Sequence, residues 1–221
     1  MKISTIFVLV CSLALPASAM EMAGNQGAPA GEYTLEKSHA SLIFRVNHLG
    51  FSMFTARFLE FDAKLTFDPA APQTSKLKAT VNTASIETDF PTPQVVDFNK
   101  ELQQEAWLNT ERFPTMTYSA ESVEMTGADT GRIMGQLTLL GVTKPMVLEA
   151  RFNGGYPGMS MDPNARIGFS ARGTLQRSDF GMTTGIPAPG SSMGVGDEVE
   201  VIIEAEFSGP AWQSGKADID S

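Results

Sequence analysis

Apolar and polar positions alternate with a period of two through most of this chain. In the stretch 132–152, Ile133, Gly135, Leu137 and Leu139 alternate with Met134, Gln136 and Thr138. After a break at Gly141-Val142-Thr143-Lys144-Pro145, Met146, Leu148, Ala150 and Phe152 alternate with Val147, Glu149 and Arg151. This pattern predicts two strands that each bury one face. Gly141 suits a tight turn between them, and Pro145 is expected to open the second strand, where a missing N–H is tolerated. A lone hairpin is marginal in water, so further strands are required.

They are present. Tyr33 to Leu35 predicts a short first strand, and Leu42, Phe44 and Val46 then alternate with Ile43, Arg45 and Asn47. Beyond His48-Leu49-Gly50, Phe61, Ala63, Leu65 and Phe67 alternate with Asp62, Lys64 and Thr66, and Leu77, Ala79 and Val81 with Lys78, Thr80 and Asn82. Met116, Tyr118 and Ala120 resume the pattern ahead of the opening pair. Ile167, Phe169, Ala171, Gly173 and Leu175 follow it, and Val199, Val201, Ile203, Ala205 and Phe207 come last, mostly interleaved with glutamates. One helix interrupts the series, with Thr92 as N-cap, Pro93 in the first turn and Val95, Phe98, Leu102 and Ala106 on one face. Eight or nine one-sided strands and a single amphipathic helix predict an all-β domain over 32–208. An eight-stranded antiparallel barrel satisfies it best because closure leaves no free edges, with a two-sheet sandwich as the alternative. A barrel of this size either fills with side chains or holds one small ligand.

The two ends read differently. Residues 1–19 combine a basic start at Lys2, an apolar run and Ala17-Ser18-Ala19, the pattern of a cleaved export signal. Residues 20–31 are expected to be a flexible leader, and 209–221 a disordered tail. Cleavage removes the only cysteine, Cys11, and shifts the formal net charge from −9 to −10 through loss of Lys2. A periplasmic location follows, with neither a disulfide nor a thiolate, and the acidic surface disfavours nucleic acid.

Candidate chemistry is sparse. The two histidines, His39 and His48, fall on opposite faces of a strand unless a bulge intervenes, which suits neither a shared metal nor a catalytic pair. Gly168-Phe169-Ser170-Ala171-Arg172 lacks the final glycine of a nucleophile elbow and lies in a strand pattern. No phosphate-binding glycine loop or zinc spacing occurs. Methionines, some of them near loops, leave a thioether copper site as one reading, although their commonest role is to fill apolar cores. The glycine-rich stretch 179–196, carrying Phe180, Met182, Ile186, Met193 and Val195, reads either as a lid over a barrel mouth or as a connector.

Several of these segments resemble the YceI-like family of periplasmic polyisoprenoid-binding proteins. His39 with Phe44, Val46, His48, Leu49 and Gly50 is similar to its opening signature, and Phe113-Pro114-Thr115-Met116 to its entry into the next strand. Gly135-Gln136-Leu137-Thr138 with 141–145, then Arg177-Ser178-Asp179-Phe180-Gly181-Met182, then Gly196-Asp197-Glu198-Val199 complete the series, which spans about 33–207. The resemblance implies a lipocalin-like barrel with an apolar tunnel for a bound lipid; the missing catalytic constellation argues for a protein that is not an enzyme, and no cofactor beyond that lipid is expected. The expected function is a carrier holding a long-chain isoprenoid, quinone-like or another amphiphile. A quinone-using redox accessory or enzyme and a copper-binding protein are the alternatives, and room is left for a membrane-protein partner and a homodimer. The expected ligand wall comprises Phe44, Val46, Phe61, Leu65, Leu77, Val81, Met116, Tyr118, Leu137, Leu139, Met146, Leu148, Phe169, Leu175, Phe180 and Met182. Gly135, Ala171 and Gly173 are expected to leave space among them.

Overall fold

A computed structural model describes residue 22 and residues 24–212; the predicted export signal lies outside them. The strands are β1 (Gly31–His48), β2 (Ser52–Phe58), β3 (Phe61–Phe67), β4 (Lys76–Asn82), β5 (Ile86–Glu87), β6 (Thr115–Met125), β7 (Thr130–Leu139), β8 (Val142–Tyr156), β9 (Asn164–Gln176) and β10 (Val195–Ala211). All pair antiparallel, and β10 returns to pair with β1, so the sheet closes into a barrel.

Ten strands make eight staves. The lower part of β1 pairs with β3 (Tyr33↔Leu65) and its upper part with β2 (Phe44↔Ala56), so β2 and β3 are successive halves of one bent stave. Likewise β4 pairs with β3 and β5 with β2, forming a second bent stave. The bends match an irregularity in β1, where Leu35↔Phe207 gives way to Ala40↔Ala205. Five steps on one strand against two on the other insert an odd number of residues, so the inward set changes from Tyr33 and Leu35 to Leu42, Phe44 and Val46. The sequence pattern treats these as two elements because a strict period of two cannot cross the bulge. β2 was not foreseen at all, although Phe54, Ala56 and Phe58 alternate cleanly with Thr55 and Arg57.

A two-residue turn joins β7 to β8, with Leu140 at φ 52° and Gly141 at φ 73°. Both central residues have positive φ, as a type I′ hairpin requires. Pro145 does not open β8 as expected; it lies inside, opposite Gln136. Counting from the hydrogen-bonded pair Leu139↔Val142, that position is non-hydrogen-bonded towards β7. On the other side the β8–β9 register begins only at Leu148↔Gly173, so the missing N–H faces no strand.

The helix is shorter and later than expected. α1 spans Phe98–Gln103, and the Asp97 side chain caps it by accepting from the Lys100 N–H at 3.1 Å. Thr92 instead closes a turn, its carbonyl accepting from the N–H groups of Val95 and Val96. Val95 and Ala106 are exposed, and Leu102 with Leu108 anchors the segment. It sits where β5 leaves the barrel and no strand follows it upward.

Both chain ends contribute more than predicted. Met22 and Ala28 are buried in the lower core, and the Gln26 N–H donates to the Gly155 carbonyl at 2.7 Å, so the described part of the expected leader packs on the barrel. β10 runs through Gly209, whose bare Cα lies under the Tyr33 ring, and ends at Ala211, past the expected start of the tail at 209. Residues 213–221 lie outside the described part.

Candidate functional site

Inward side chains divide the barrel into two regions. Below, Tyr33, Phe67, Phe152, Phe169 and Phe207 form an aromatic pile: Phe169 has ring centroids at 5.6 Å from Phe67, 5.4 Å from Phe152 and 6.2 Å from Phe207. Edge and tilted contacts at these separations are favourable, and Phe67, Phe152, Phe169 and Phe207 also border the hollow of the lumen. Above the pile the inward residues cease to fill the lumen. Leu42, Phe44, Leu77, Ala79, Ile133, Ala150, Leu175, Val201 and Ile203 point inward yet are only partly buried. They face a cavity of about 560 Å³, within the range typical of small-molecule sites.

All of the predicted wall residues except Phe180 line this cavity. Phe180 is buried behind the wall, in a 3-10 turn over Arg177–Phe180 that packs into the upper core. The glycines do not create the space. A Cβ at Gly135 would come within 2.6 Å of the Tyr118 ring and one at Gly173 within 2.9 Å of Leu148 and Met146, so neighbouring side chains occupy both gaps. Tyr118 lies along the wall over Gly135 of the neighbouring β7 and donates its hydroxyl to the Ile133 carbonyl at 2.9 Å, with the Met146 carbonyl at 3.2 Å. Burial pushes its pKa up to about 12, and that of Tyr33 likewise.

Sequence reasoning left out part of the upper wall. Phe54 and Phe58 of β2, and Phe98, Leu102, Trp107 and Leu108 from the segment around α1, line it. The alternation in β2 carried the signal, whereas nothing local marks Trp107 and Leu108 as lumen-facing. The inward face of β10 was read from the pattern but not assigned to the site, and Val199, Val201 and Ile203 belong there.

Polar groups sit at the two ends. His48, Ser52 and Arg177 line the upper end, and Ser75, Asp129 and Thr130 the lower. His39 faces outward beside Glu206, with Nδ1 3.5 Å from the carboxylate, so the two histidines lie on opposite faces as their spacing implied. Arg177 is 4 % exposed. Its guanidinium donates to the carbonyls of Gly196 (2.8 Å), Thr184 (3.2 Å) and Val195 (2.9 Å) and lies over the Trp107 ring, 5.6 Å from the centroid. Burial lowers its pKa, while Asp197 acts in the opposite direction. The stretch 179–196 is therefore tied to the barrel at both ends, and the Thr184 hydroxyl adds a bond to the Ala106 carbonyl. Among the described residues no three or more His, Cys, Asp or Glu side chains are grouped to hold a metal ion.

A largely apolar lumen with most of its polar lining at the ends can hold the chain of an amphiphile. The comparisons agree with the architecture. The YceI-like domain model matches residues 33–207. A UPF0312 protein from Ectopseudomonas mendocina is 37% identical over 183 residues, covering 81% of this chain and 88% of its own. Protein YceI from Salmonella arizonae is 38% identical over 183 residues, covering 81% and 87%. Among solved structures, a Campylobacter jejuni YCEI protein matches with a TM-score of 0.62 and 31% identity over 74% of this chain and 89% of its own. A polyisoprenoid-binding domain from Saccharophagus degradans shares the fold, with a TM-score of 0.58 at 14% identity over 80% and 98%. The chain belongs to the YceI-like family.

Proposed function

We propose that this protein is a periplasmic carrier that holds a long-chain isoprenoid, quinone-like or similar amphiphile in the barrel lumen. The observation that carries the reading is the hollow above the aromatic pile: a cavity of about 560 Å³ walled by apolar side chains. Extrapolating the cost of residual core voids, ~24 cal/mol per Å³, puts an empty cavity of that size on the order of 10 kcal/mol. That rivals the whole stability of a typical domain, about 5–15 kcal/mol. An apolar occupant removes the cost. Two or three isoprene units, at ~0.8 kcal/mol per buried CH₂, contribute roughly 8–12 kcal/mol before ordering is subtracted. Export supports the location, because residues 1–19 carry the signal pattern. Binding alone accounts for the lumen, and an enzymatic role has no constellation of residues to support it.

Organic extraction of protein purified from its native cell, followed by mass spectrometry, tests the reading. The expected result is a stoichiometric isoprenoid or related amphiphile. Protein that is folded and carries no lipid, and takes up none from native membranes, overturns it.

A further inference from the structure

The two ends of the barrel differ in charge. At the upper end, four segments meet around the mouth of the lumen. Residues 46–56, across the β1–β2 turn, contain no Asp, Glu, Lys or Arg. Residues 90–96, ahead of α1, carry none; nor do residues 133–143, which include the β7–β8 turn, or residues 180–196, between β9 and β10. The chain holds 25 acidic and 16 basic residues, so four uncharged segments at one end are a marked departure from its average. The lower end is ordinary: Glu124, Asp129 and Arg132 flank the β6–β7 turn, and Asp162 and Arg166 the β8–β9 connection.

Large apolar side chains stand exposed on these same upper segments. Phe51 is 80% exposed, Val95 76% and Met193 66%, with Val96 and Phe90 also open to solvent. They form one arc. The Leu49 N–H donates to the Gly194 carbonyl at 2.8 Å, which sets the turn bearing Phe51 beside Met193. Phe54 then meets Phe98 at 5.7 Å between centroids and Phe98 meets Phe90 at 5.5 Å, which carries the arc to Val95 and Val96. His48, Ser52, Phe54, Phe90, Phe98 and Val195 of these neighbouring segments line the lumen itself. The exposed arc is thus continuous with the apolar wall of the mouth. Charge resumes at its flanks, with Asp89 paired to Arg57 at 2.9 Å before Phe90, and with Asp97, Lys100, Glu101, Glu105, Glu111 and Arg112 in and around α1.

We propose that this end of the barrel docks on an electrically neutral lipid surface, with Phe51, Met193, Val95 and Val96 inserted among acyl chains around the mouth. The inference rests on the carrier reading and adds where cargo enters. A lipid surface suits the arc better than a protein partner. Its exposed side chains stand on the tips of separate loops instead of forming one flat patch, and the absence of charge removes the paired polar rim that protein interfaces carry. Uncharged, apolar tips enter the acyl boundary without desolvating a charge, and they require no anionic lipid to attract them. A mouth held against the bilayer lets an isoprenoid chain pass from membrane to lumen without crossing water.

The test is co-sedimentation of the full mature protein with vesicles of pure phosphatidylcholine. The expected result is binding that persists at high salt and falls at least tenfold in Phe51→Ser/Met193→Ser and, separately, in Val95→Ser/Val96→Ser. Extracted lipid content and thermal melt should stay at wild-type values in both, since none of the four side chains lines the lumen. Wild-type protein that ignores these vesicles, or double variants that bind as well as wild type, overturns the docking surface. Binding only to vesicles containing native membrane proteins also overturns it, in favour of a protein partner. Loss of cargo from wild-type protein would instead strike the carrier reading.

Discussion

Ala79 is the position at which the lumen can be plugged with least disturbance. It lies on β4 between Ala63 of β3 and Tyr118 of β6, points inward, and borders both the upper and lower core. It remains partly exposed because the cavity lies in front of it. Ala79→Phe adds about six carbon atoms to that space, somewhat more than one isoprene unit. At ~0.8 kcal/mol per buried carbon, a ligand forced out of the same volume loses up to ~5 kcal/mol of burial, and losing only ~1.4 kcal/mol weakens retention tenfold. The added ring gains apolar burial for the lipid-free protein, so its melt should equal or exceed that of lipid-free wild type. The assay pairs extraction and mass spectrometry with thermal melts of loaded and stripped protein. Retained lipid should drop at least tenfold, and with it the melting increment that lipid confers. Glu204→Trp is the control: Glu204 is exposed on the outer face of β10, where it accepts from the Ser170 hydroxyl, and lipid content there should not change. Phe169 is a poorer choice because its ring is wedged in the aromatic pile. Full lipid load in a stably folded Ala79→Phe protein would refute the reasoning, because the occupant would then lie elsewhere.

Gly135→Ala should lower stability by about 1–3 kcal/mol, since its Cβ would meet both the Tyr118 ring and the Ser119 carbonyl at 2.6 Å; a denaturant melt checks this. Arg177→Met should cost about 2–4 kcal/mol by leaving three carbonyls without their donor, and hydrogen exchange should rise across 181–196. Tyr33 and Tyr118 predict alkaline weakening. Their folded pKa near 12 lies above the ordinary value of 10.0, so the unfolded chain releases protons first. Their contribution is complete below pH 10 and is lost as pH rises towards 12. Thermal melts across that range should show the decline, and Tyr33→Phe/Tyr118→Phe should flatten it.

Most of the fold was legible because the period of two is a direct image of one-sided burial. β3, β4, β7, β9 and β10 carry inward sets that match their alternation residue for residue. The pattern fails where the backbone leaves the period. β1 was read as two pieces because the insertion after Leu35 changes the parity of its inward face. β6 was truncated for the same reason: Ala120↔Gly135 is followed by Ser122↔Met134, so Val123 and Met125 point inward although Tyr118 and Ala120 set the opposite parity. The helix was misplaced by a different mechanism. Thr92 and Pro93 make a credible helix start, but Asp97 offers a better cap four to five residues later, and Pro91 and Pro93 hold the preceding chain in turns.

The site was legible as a list of inward residues, while its hollowness was assigned correctly at Ala171 and wrongly at two glycines. Sequence reasoning located the spare volume at Gly135, Ala171 and Gly173, and of the three only Ala171 borders it. In the folded barrel a glycine admits whichever neighbour is largest, and Tyr118, Leu148 and Met146 take those places. The space lies instead before Ala63, Ala79, Ala150, Ala171 and Ala205, each of which lines the cavity. An alanine holds its wall against intrusion with a methyl group yet extends no further, so five of them at inward positions widen the lumen above the aromatic pile. Alanine is unremarkable in a strand sequence, and four of these five drew no notice there. Its effect emerges only when closure brings β3, β4, β8, β9 and β10 round one axis, with the rings of Phe67, Phe152, Phe169 and Phe207 as a floor. Substituting these alanines, more than any glycine, is what should set how much apolar chain the barrel retains.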